Sequence, residues 1–315
     1  MKMKIVLLDS ITLGEADLSI IGNEGEFVTY EMTAPHQVAD RIKDAEVVVA
    51  NKVYFGKEEM DSAEKLKLIA VTATGYNNVD IEEANKRGIK VANVKDYSTE
   101  SVAQYTISCM MSLMMNLNRY DKSVKAGEWG TSDIFTLLKY PVTEMNGKTL
   151  GIVGYGAIGK RVGEMAKALG MKLIVAKRPG AVYEDSERLE FQEVLKTADV
   201  LCIHCPLSDE TRNLISHKEL DMMKKKSIII NPARGGIIDE KALAYALQNE
   251  KIAGAALDVL ETEPPKDGSP LFSLDNVLIT PHIAWSTIES RTRLLEGVKK
   301  NIKDFKLGIL KGIGE

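Results

Sequence analysis

Short apolar runs alternate with amphipathic stretches through the first third of the chain. Lys4–Asp9, Glu46–Asn51, Leu66–Thr72 and Ile89–Asn93 read as strands, and the patterns around His36–Asp44, Lys57–Glu64 and Val79–Arg87 read as helices. That alternation predicts a parallel sheet covered by its helical crossovers. After Ser98, the positions Val102, Tyr105, Thr106, Cys109, Met110, Leu113, Met114 and Leu117 recur at helical spacing. They predict one long amphipathic helix with more than one face to cover. Its methionines suit an interdomain or dimer core better than a promiscuous docking surface. Residues 119–146 lose the periodicity and contain Gly127, Trp129, Gly130 and Pro141, so they predict an irregular crossover that packs on or covers something.

A second alternating series follows. Its strands are Lys148–Val153, Lys172–Ala176, Asp199–His204, Ser227–Asn231, Ala253–Val259 and Asn276–Thr280. Helices are expected at Ile158–Leu169, Phe191–Thr197, Ser216–Met223 and Glu240–Gln248, and a terminal helix runs to about Phe305. Ser216–Glu219 and Ser286–Glu289 have the form of capping boxes. So many strands fit two parallel-sheet domains, hinged near Asn93–Thr99 and again near His282–Ser286.

Composition narrows the function classes. With 315 residues the chain has room for two domains. Its 41 Lys and Arg against 45 Asp and Glu give a net charge of -4, which disfavours a broad nucleic-acid footprint. Cys109, Cys202 and Cys205 are too few for a disulfide scaffold. Cys202-Ile203-His204-Cys205 has half the spacing of a metal knuckle, but no second pair follows, and no metal is expected. The apolar run after Lys4 stops at Asp9, too short for a signal segment, and no run reaches the ~18–20 residues of a membrane helix. The expectation is a cytoplasmic protein without membrane or nucleic-acid partners.

Chemistry concentrates at predicted strand ends. The strand ending at Val153 runs into Gly154-Tyr155-Gly156-Ala157-Ile158-Gly159 and then a helix, the context in which G-x-G-x-x-G binds a dinucleotide. Gly154 makes the turn, Gly156 lets the pyrophosphate approach, Gly159 packs helix on strand, and the N–H groups at the helix start hold phosphate. Where an acid would grip the ribose of NAD, the next strand ends in Lys177-Arg178. These cations could pair with a 2′-phosphate, which favours NADP; if both instead face solvent, either cofactor is accepted. Asp185 and Glu187 come too late for the ribose role.

Arg234, Glu261 or Glu263, and His282 each follow a later strand, where open α/β sheets bind ligands. Arginine can fork a carboxylate, and histidine beside a buried glutamate can exchange a proton with a carbonyl or hydroxyl. Each residue alone has an ordinary structural reading. Together, beside a dinucleotide site, they point to redox chemistry on a small anionic substrate. Asp258, a carboxylate within an apolar strand, needs donors, and a cofactor carboxamide would be one.

The motifs Thr72–Asp80, Tyr97–Ala103, Gly154–Gly159, His204–Leu207, Asn231–Gly236, Glu263–Pro265 and Pro281–Trp285 together resemble the D-isomer-specific 2-hydroxyacid dehydrogenases, over essentially the whole chain. Within that family the sequence is most similar to the glycerate dehydrogenase/hydroxypyruvate reductase group. The resemblance implies two Rossmann-like parallel-sheet domains, with the cofactor domain (99–284) inserted into a flavodoxin-like substrate domain (1–98 plus 285–315). It implies reduction of hydroxypyruvate or glyoxylate with NAD(P)H. Arg234 would bind the 2-oxo acid, His282 would act as acid and base, and Glu263 rather than Glu261 would fix His282 and raise its pKa. Thr74 and Gly75 would hold the substrate carboxylate, and Trp285 would wall its pocket. Thr106, Cys205, Pro206, Thr211, Pro232, Ala233, Asp258 and Ala284 would join the Gly154, Gly156, Ala157, Ile158, Gly159, Lys177 and Arg178 set around the cofactor. A homodimer through the cofactor domain is implied, with Phe135, Leu137 and Leu138 reaching towards the partner. A phosphite-type or other dehydrogenase of the family and a dinucleotide-sensing corepressor-like scaffold are the competing expectations. A formate-type enzyme is disfavoured by Glu263 where those relatives carry Gln.

Overall fold

The computed structural model describes residues 2–177 and 188–314. The chain divides into two compact units, Met1–Ser98 with Ser286–Glu315, and Thr99–Trp285. The second is inserted between the two segments of the first.

The first unit is built on strands β1 (Lys4–Leu7), β2 (Glu26–Thr29), β3 (Val47–Ala50), β4 (Leu68–Val71) and β5 (Lys90–Ala92). They form a parallel sheet in the order β2-β1-β3-β4-β5. The inner strands β3 and β4, Val-Val-Val-Ala and Leu-Ile-Ala-Val, are buried along their whole length, as strands covered on both faces must be. Helices α1 (Ser19–Gly22), α2 (Val38–Ile42), α3 (Lys57–Asp61) and α4 (Ile81–Lys86) lie in the crossovers. β2 is absent from the sequence expectation: Glu-Phe-Val-Thr is short and only half-buried at the sheet edge, so its hydrophobic signal is weak.

The second unit carries β6 (Thr149–Val153), β7 (Lys172–Ala176), β8 (Arg188–Leu189), β9 (Val200–Ile203), β10 (Ile228–Asn231), β11 (Gly254–Leu257) and β12 (Val277–Ile279). They form a parallel sheet ordered β12-β11-β10-β9-β6-β7-β8. Its helices are α5 (Thr99–Met114), α6 (Leu117–Lys125), α7 (Ala157–Ala168), α8 (Phe191–Thr197), α9 (His217–Met222) and α10 (Glu240–Gln248). One face of the sheet is covered by a core containing Leu243, Leu247 and Ile252, the other by α5 and α7. Burying each such Leu or Ile side chain contributes ~1.5–3 kcal/mol. The helix α11 (Ile288–Lys306) returns to the first unit and packs on β4.

Two expectations are corrected here. The helix expected to run through Leu117 breaks at Asn116, whose φ of 49° is left-handed and whose amide donates to the Pro141 carbonyl at 2.7 Å. The crossover therefore begins with α6 and a turn of 3₁₀ helix at Glu128–Thr131. The methionines Met110 and Met114 are buried inside the second unit, in one core with Leu150, Ile152 and Val162, while Met115 is exposed. The final cap falls on Thr287, whose hydroxyl accepts from the Ser290 N–H at 3.2 Å, one residue beyond the expected Ser286. At α9, Glu219 accepts the Ser216 N–H at 3.2 Å while the Ser216 hydroxyl turns to Asp239. Among the described residues, no helix is long and apolar enough to cross a membrane.

Candidate active site

The carboxyl ends of β6, β7 and β9 to β12 place nearly all the candidate residues of the second unit along one edge of its sheet. After β6, Gly154 adopts φ 94°, and a Cβ there would stand 2.4 Å from the Cys205 backbone nitrogen. Only glycine allows both the turn and the close approach of the loop after β9. A Cβ on Gly159 would meet the Gly154 carbonyl oxygen at 2.3 Å, whereas one on Gly156 would meet nothing within 4 Å. Gly156 and Ala157 are exposed at the start of α7, with Ile158 half-buried. An open glycine ahead of the uncapped N–H groups of a twelve-residue helix leaves backbone donors and room for a phosphate group.

Beside this turn, burial pushes the Cys205 thiol up to about 11 and holds the half-buried His204 down to about 4. His204 Nε2 is buried with no hydrogen-bond partner. Pro206 is exposed; its carbonyl accepts from the Thr211 hydroxyl at 2.7 Å, so Thr211 shapes this loop from a buried position. At the end of β7, the Lys177 ammonium meets Glu190 Oε1 at 2.7 Å. Arg178 lies outside the described residues.

The β10 to β12 end of the edge is cross-braced. Asn231 ends the Ile-Ile-Ile run of β10; its amide donates to the Arg234 carbonyl at 2.9 Å and its oxygen accepts from the Ala233 N–H at 3.0 Å. This clamps the Pro232–Arg234 turn, with Pro232 buried, Ala233 half-buried and Arg234 exposed. No described carboxylate pairs with Arg234, whose Nη1 donates to the Ala233 carbonyl. A Cβ on the next residue, Gly235, would lie 1.9 Å from the Leu260 carbonyl oxygen, so the arginine loop is pressed directly onto the loop after β11. Glu240 holds that second loop through the Glu261 N–H at 2.6 Å and the Ser269 hydroxyl at 3.0 Å.

Glu263 is the carboxylate that meets the histidine: its Oε2 lies 2.6 Å from His282 Nδ1, while its Oε1 accepts from the Leu260 N–H at 3.1 Å. The pair is not buried as the sequence suggested, since the two side chains keep 31% and 34% of their exposure. An apolar cavity of about 350 Å³, walled by Leu260, Pro264, Phe272 and Ile279, opens beside it. His282 itself has φ 58°. Such a conformation persists only where its surroundings over-determine it, and here Asp258 does so. The Asp258 carbonyl accepts the His282 N–H at 2.8 Å. Its carboxylate accepts from the Thr280 hydroxyl at 2.6 Å and from the Ile283 and Ala284 N–H groups at 2.8 and 2.7 Å. Burial still raises this carboxyl above its usual range.

Tyr105 lies 2.7 Å from the Thr280 hydroxyl and the Ser101 hydroxyl donates to the Ala284 carbonyl at 2.6 Å, so α5 backs the histidine loop. Thr106 is fully buried, with its hydroxyl on the Val102 carbonyl within α5. The structure does not bring it to the surface of this site. Trp285 is half-buried at the last position of the second unit.

In the first unit, Thr74 and Gly75 follow β4. The Thr74 hydroxyl donates to the Val94 carbonyl at 3.0 Å and its carbonyl accepts from the Asn93 amide at 2.6 Å. No described residue accepts from the N–H groups of Thr74 or Gly75, which leaves two backbone donors for an anion.

Sequence reasoning passed over Asn231, Gly235, Tyr105, Glu240 and Glu190 as working parts of this edge. Asn231 and Gly235 had a signal, a polar residue and a glycine closing a β-branched strand. The other three act across long sequence distances and had none.

Residues 107–284 match the family described as "D-isomer specific 2-hydroxyacid dehydrogenase, NAD binding domain". The chain is 38% identical to a hydroxypyruvate reductase of Blautia hydrogenotrophica, covering 97% of this chain and 98% of that one. It is 37% identical to a glycerate dehydrogenase of Methylorubrum extorquens, covering 98% of each. Among solved structures, it is similar to an NADPH-dependent glyoxylate/hydroxypyruvate reductase of Sinorhizobium meliloti in complex with NADP and malonate. That likeness has a TM-score of 0.81 and 26% identity, over 97% of this chain and 94% of that one. The second unit is thus a nicotinamide-dinucleotide-binding fold, and the chain belongs to the D-isomer specific 2-hydroxyacid dehydrogenases.

Proposed function

We propose that this protein reduces a small 2-oxo acid, hydroxypyruvate or glyoxylate, to D-glycerate or glycolate. The observation that carries the proposal is the 2.6 Å Glu263–His282 contact, on an edge that also presents an arginine with no carboxylate partner among the described residues. His282 Nδ1–H donates a hydrogen bond to the Glu263 carboxylate, leaving Nε2 for the substrate. In reduction His282 gives its Nε2 proton to the carbonyl oxygen, and in oxidation it takes that proton back. Arg234 forks the carboxylate and the carbonyl oxygen, placing positive charge where the oxygen gains negative charge. The Thr74 and Gly75 N–H groups bind the carboxylate, and Trp285 limits the substrate side chain.

The Gly154–Gly159 turn and the loops at Cys205, Pro206, Pro232 and Ala233 would hold the dinucleotide, with Asp258 and Ala284 on the side of its nicotinamide end. That group, in its reduced form, would supply the hydride for C2 of the substrate. Lys177 supports use of NADPH, and its pairing with Glu190 works against it. The crossover leaves Trp129, Ile134, Phe135 and Leu138 exposed, Phe135 by 91%, which supports a homodimer formed through the second unit.

Absorbance at 340 nm tests the activity, with NADH and NADPH each crossed against hydroxypyruvate, glyoxylate, pyruvate, phenylpyruvate and 2-ketogluconate. Highest kcat/KM with hydroxypyruvate or glyoxylate is expected. Turnover confined to the bulkier acids would overturn the substrate assignment.

A further inference from the structure

The carboxyl end of β7 carries an ion pair whose second member comes from another part of the fold. β7 runs parallel to β6, with Val175 opposite Ile152, so its end lies beside the glycine turn. The Lys177 N–H donates to the Leu189 carbonyl at 2.9 Å and fixes the backbone next to β8. The following residue, Glu190, sits immediately before α8, at the position where Ser, Asp or Asn holds the first N–H groups of a helix. Its carboxylate makes no such bond. It reaches instead to the Lys177 ammonium at 2.7 Å, with 33% of the lysine side chain exposed and 67% of the glutamate.

A 2′-phosphate at this end meets a cation already matched by a carboxylate, and must either displace that carboxylate or bind against its charge. A ribose with both hydroxyls free meets an acceptor, the role of an acid at this place in a dinucleotide fold. We propose that Glu190 is the residue that selects between NAD and NADP, by occupying Lys177 and offering its own carboxylate to the unphosphorylated ribose. The proposal rests on the reading of the Gly154–Gly159 edge as the dinucleotide site with Lys177 at the adenosine ribose. It assigns the selection to a residue thirteen positions from the lysine that it controls.

Calorimetric titration of the full chain at low ionic strength with 2′,5′-ADP and 5′-AMP tests this without turnover. Glu190→Gln should tighten 2′,5′-ADP about 1.4- to fivefold, the range of an exposed ion-pair interaction, and leave 5′-AMP unchanged or slightly weakened. Lys177→Met should weaken 2′,5′-ADP, and in the double variant the gain from Glu190→Gln should vanish. If Glu190→Gln leaves 2′,5′-ADP binding unchanged while Lys177→Met weakens it, Glu190 does not select and the proposal falls. If Lys177→Met has no effect on 2′,5′-ADP although both nucleotides bind, the lysine is misplaced and the proposal falls with it. Failure of the unaltered protein to bind 5′-AMP, 2′,5′-ADP or NADH overturns the underlying site reading instead.

Discussion

The two ends of the second unit's sheet edge are built differently. At β10 to β12 the reacting loops brace one another: Asn231 clamps the arginine turn, Gly235 presses it onto Leu260, and Asp258 holds the left-handed His282 through backbone and carboxylate. At β7, the described side chains offer one solvent-exposed ion pair, Lys177 with Glu190, to which we assign the choice of charge facing the adenosine end. The difference teaches where each kind of change is tolerated. Proton transfer and carboxylate binding depend on sub-ångström placement, so their supports are redundant and mutually dependent. Choice between two cofactors requires only a shift of local charge, which one exposed side chain can make.

The largest effect expected at the braced end is loss of the proton donor. His282→Ala should lower kcat ~10²–10⁴-fold, the usual contribution of a positioned acid or base, with NADH binding retained. Near-normal turnover at saturating cofactor would remove His282 from the chemistry. Arg234→Ala should raise KM and also lower kcat if, as proposed, its fork serves the reacting carbonyl as well as the carboxylate; steady-state kinetics with glyoxylate separates the two.

Next comes the brace itself. Gly235→Ala puts a methyl 1.9 Å from the Leu260 carbonyl oxygen, so one of the two loops must move. A stability loss of about 1–3 kcal/mol is expected by chemical denaturation, the range for forced overpacking, together with a loss of kcat. Full activity in this variant would mean that the loops are not held in one geometry and that the contrast between the two ends is overstated.

Much of the sheet edge from β6 to β12 was legible beforehand because its signals are local. Gly154, Gly156 and Gly159 stand between a strand and a helix, and Arg234, Glu263 and His282 each follow a recognisable strand. The choice of Glu263 over Glu261 came from the family motif; in the structure the carboxylate of Glu263 meets His282 while Glu261 contributes its N–H to Glu240. Glu190 was not legible. Nothing in a pattern of apolar positions marks a carboxylate that works through the β7–β8 edge, and β8 is only two residues long. The break at Asn116 was hidden for a related reason, since apolar spacing continues to Leu117 while the backbone turns left-handed between them.

Between the two ends stands His204, after β9 and against Gly154. Burial keeps its imidazole neutral, with the folded value down to about 4 from 6.5. A depressed histidine contributes no pH-dependent loss above the unfolded value. Below it, the unfolded chain takes up the proton that the folded one refuses. Stability should therefore fall as pH drops from 6.5 towards about 4, by at most ~1.4 kcal/mol per pH unit from this group. Urea unfolding at about pH 7.5 and about pH 5, for the unaltered chain and His204→Gln, isolates the contribution. The variant should lose less stability on acidification, and equal slopes would show that His204 is accessible to protons in the folded state.

The smallest stability effect belongs to the open glycine. Gly156 has an extended backbone and nothing within 4 Å of a built Cβ, so Gly156→Ala should leave Tm unchanged or raise it by stiffening the unfolded chain, worth about 0.4–1 kcal/mol. The same methyl occupies the space ahead of the α7 N–H groups, so NADH affinity should fall while folding does not. Gly235→Ala and Gly156→Ala are chemically identical changes on one sheet edge, and the structure predicts opposite signatures for them. One loses stability because protein already fills the space; the other loses affinity because a ligand must. Equal losses of Tm in the two variants would show that the space above Gly156 is structural, and would leave the α7 N-terminus without its case as a phosphate cradle.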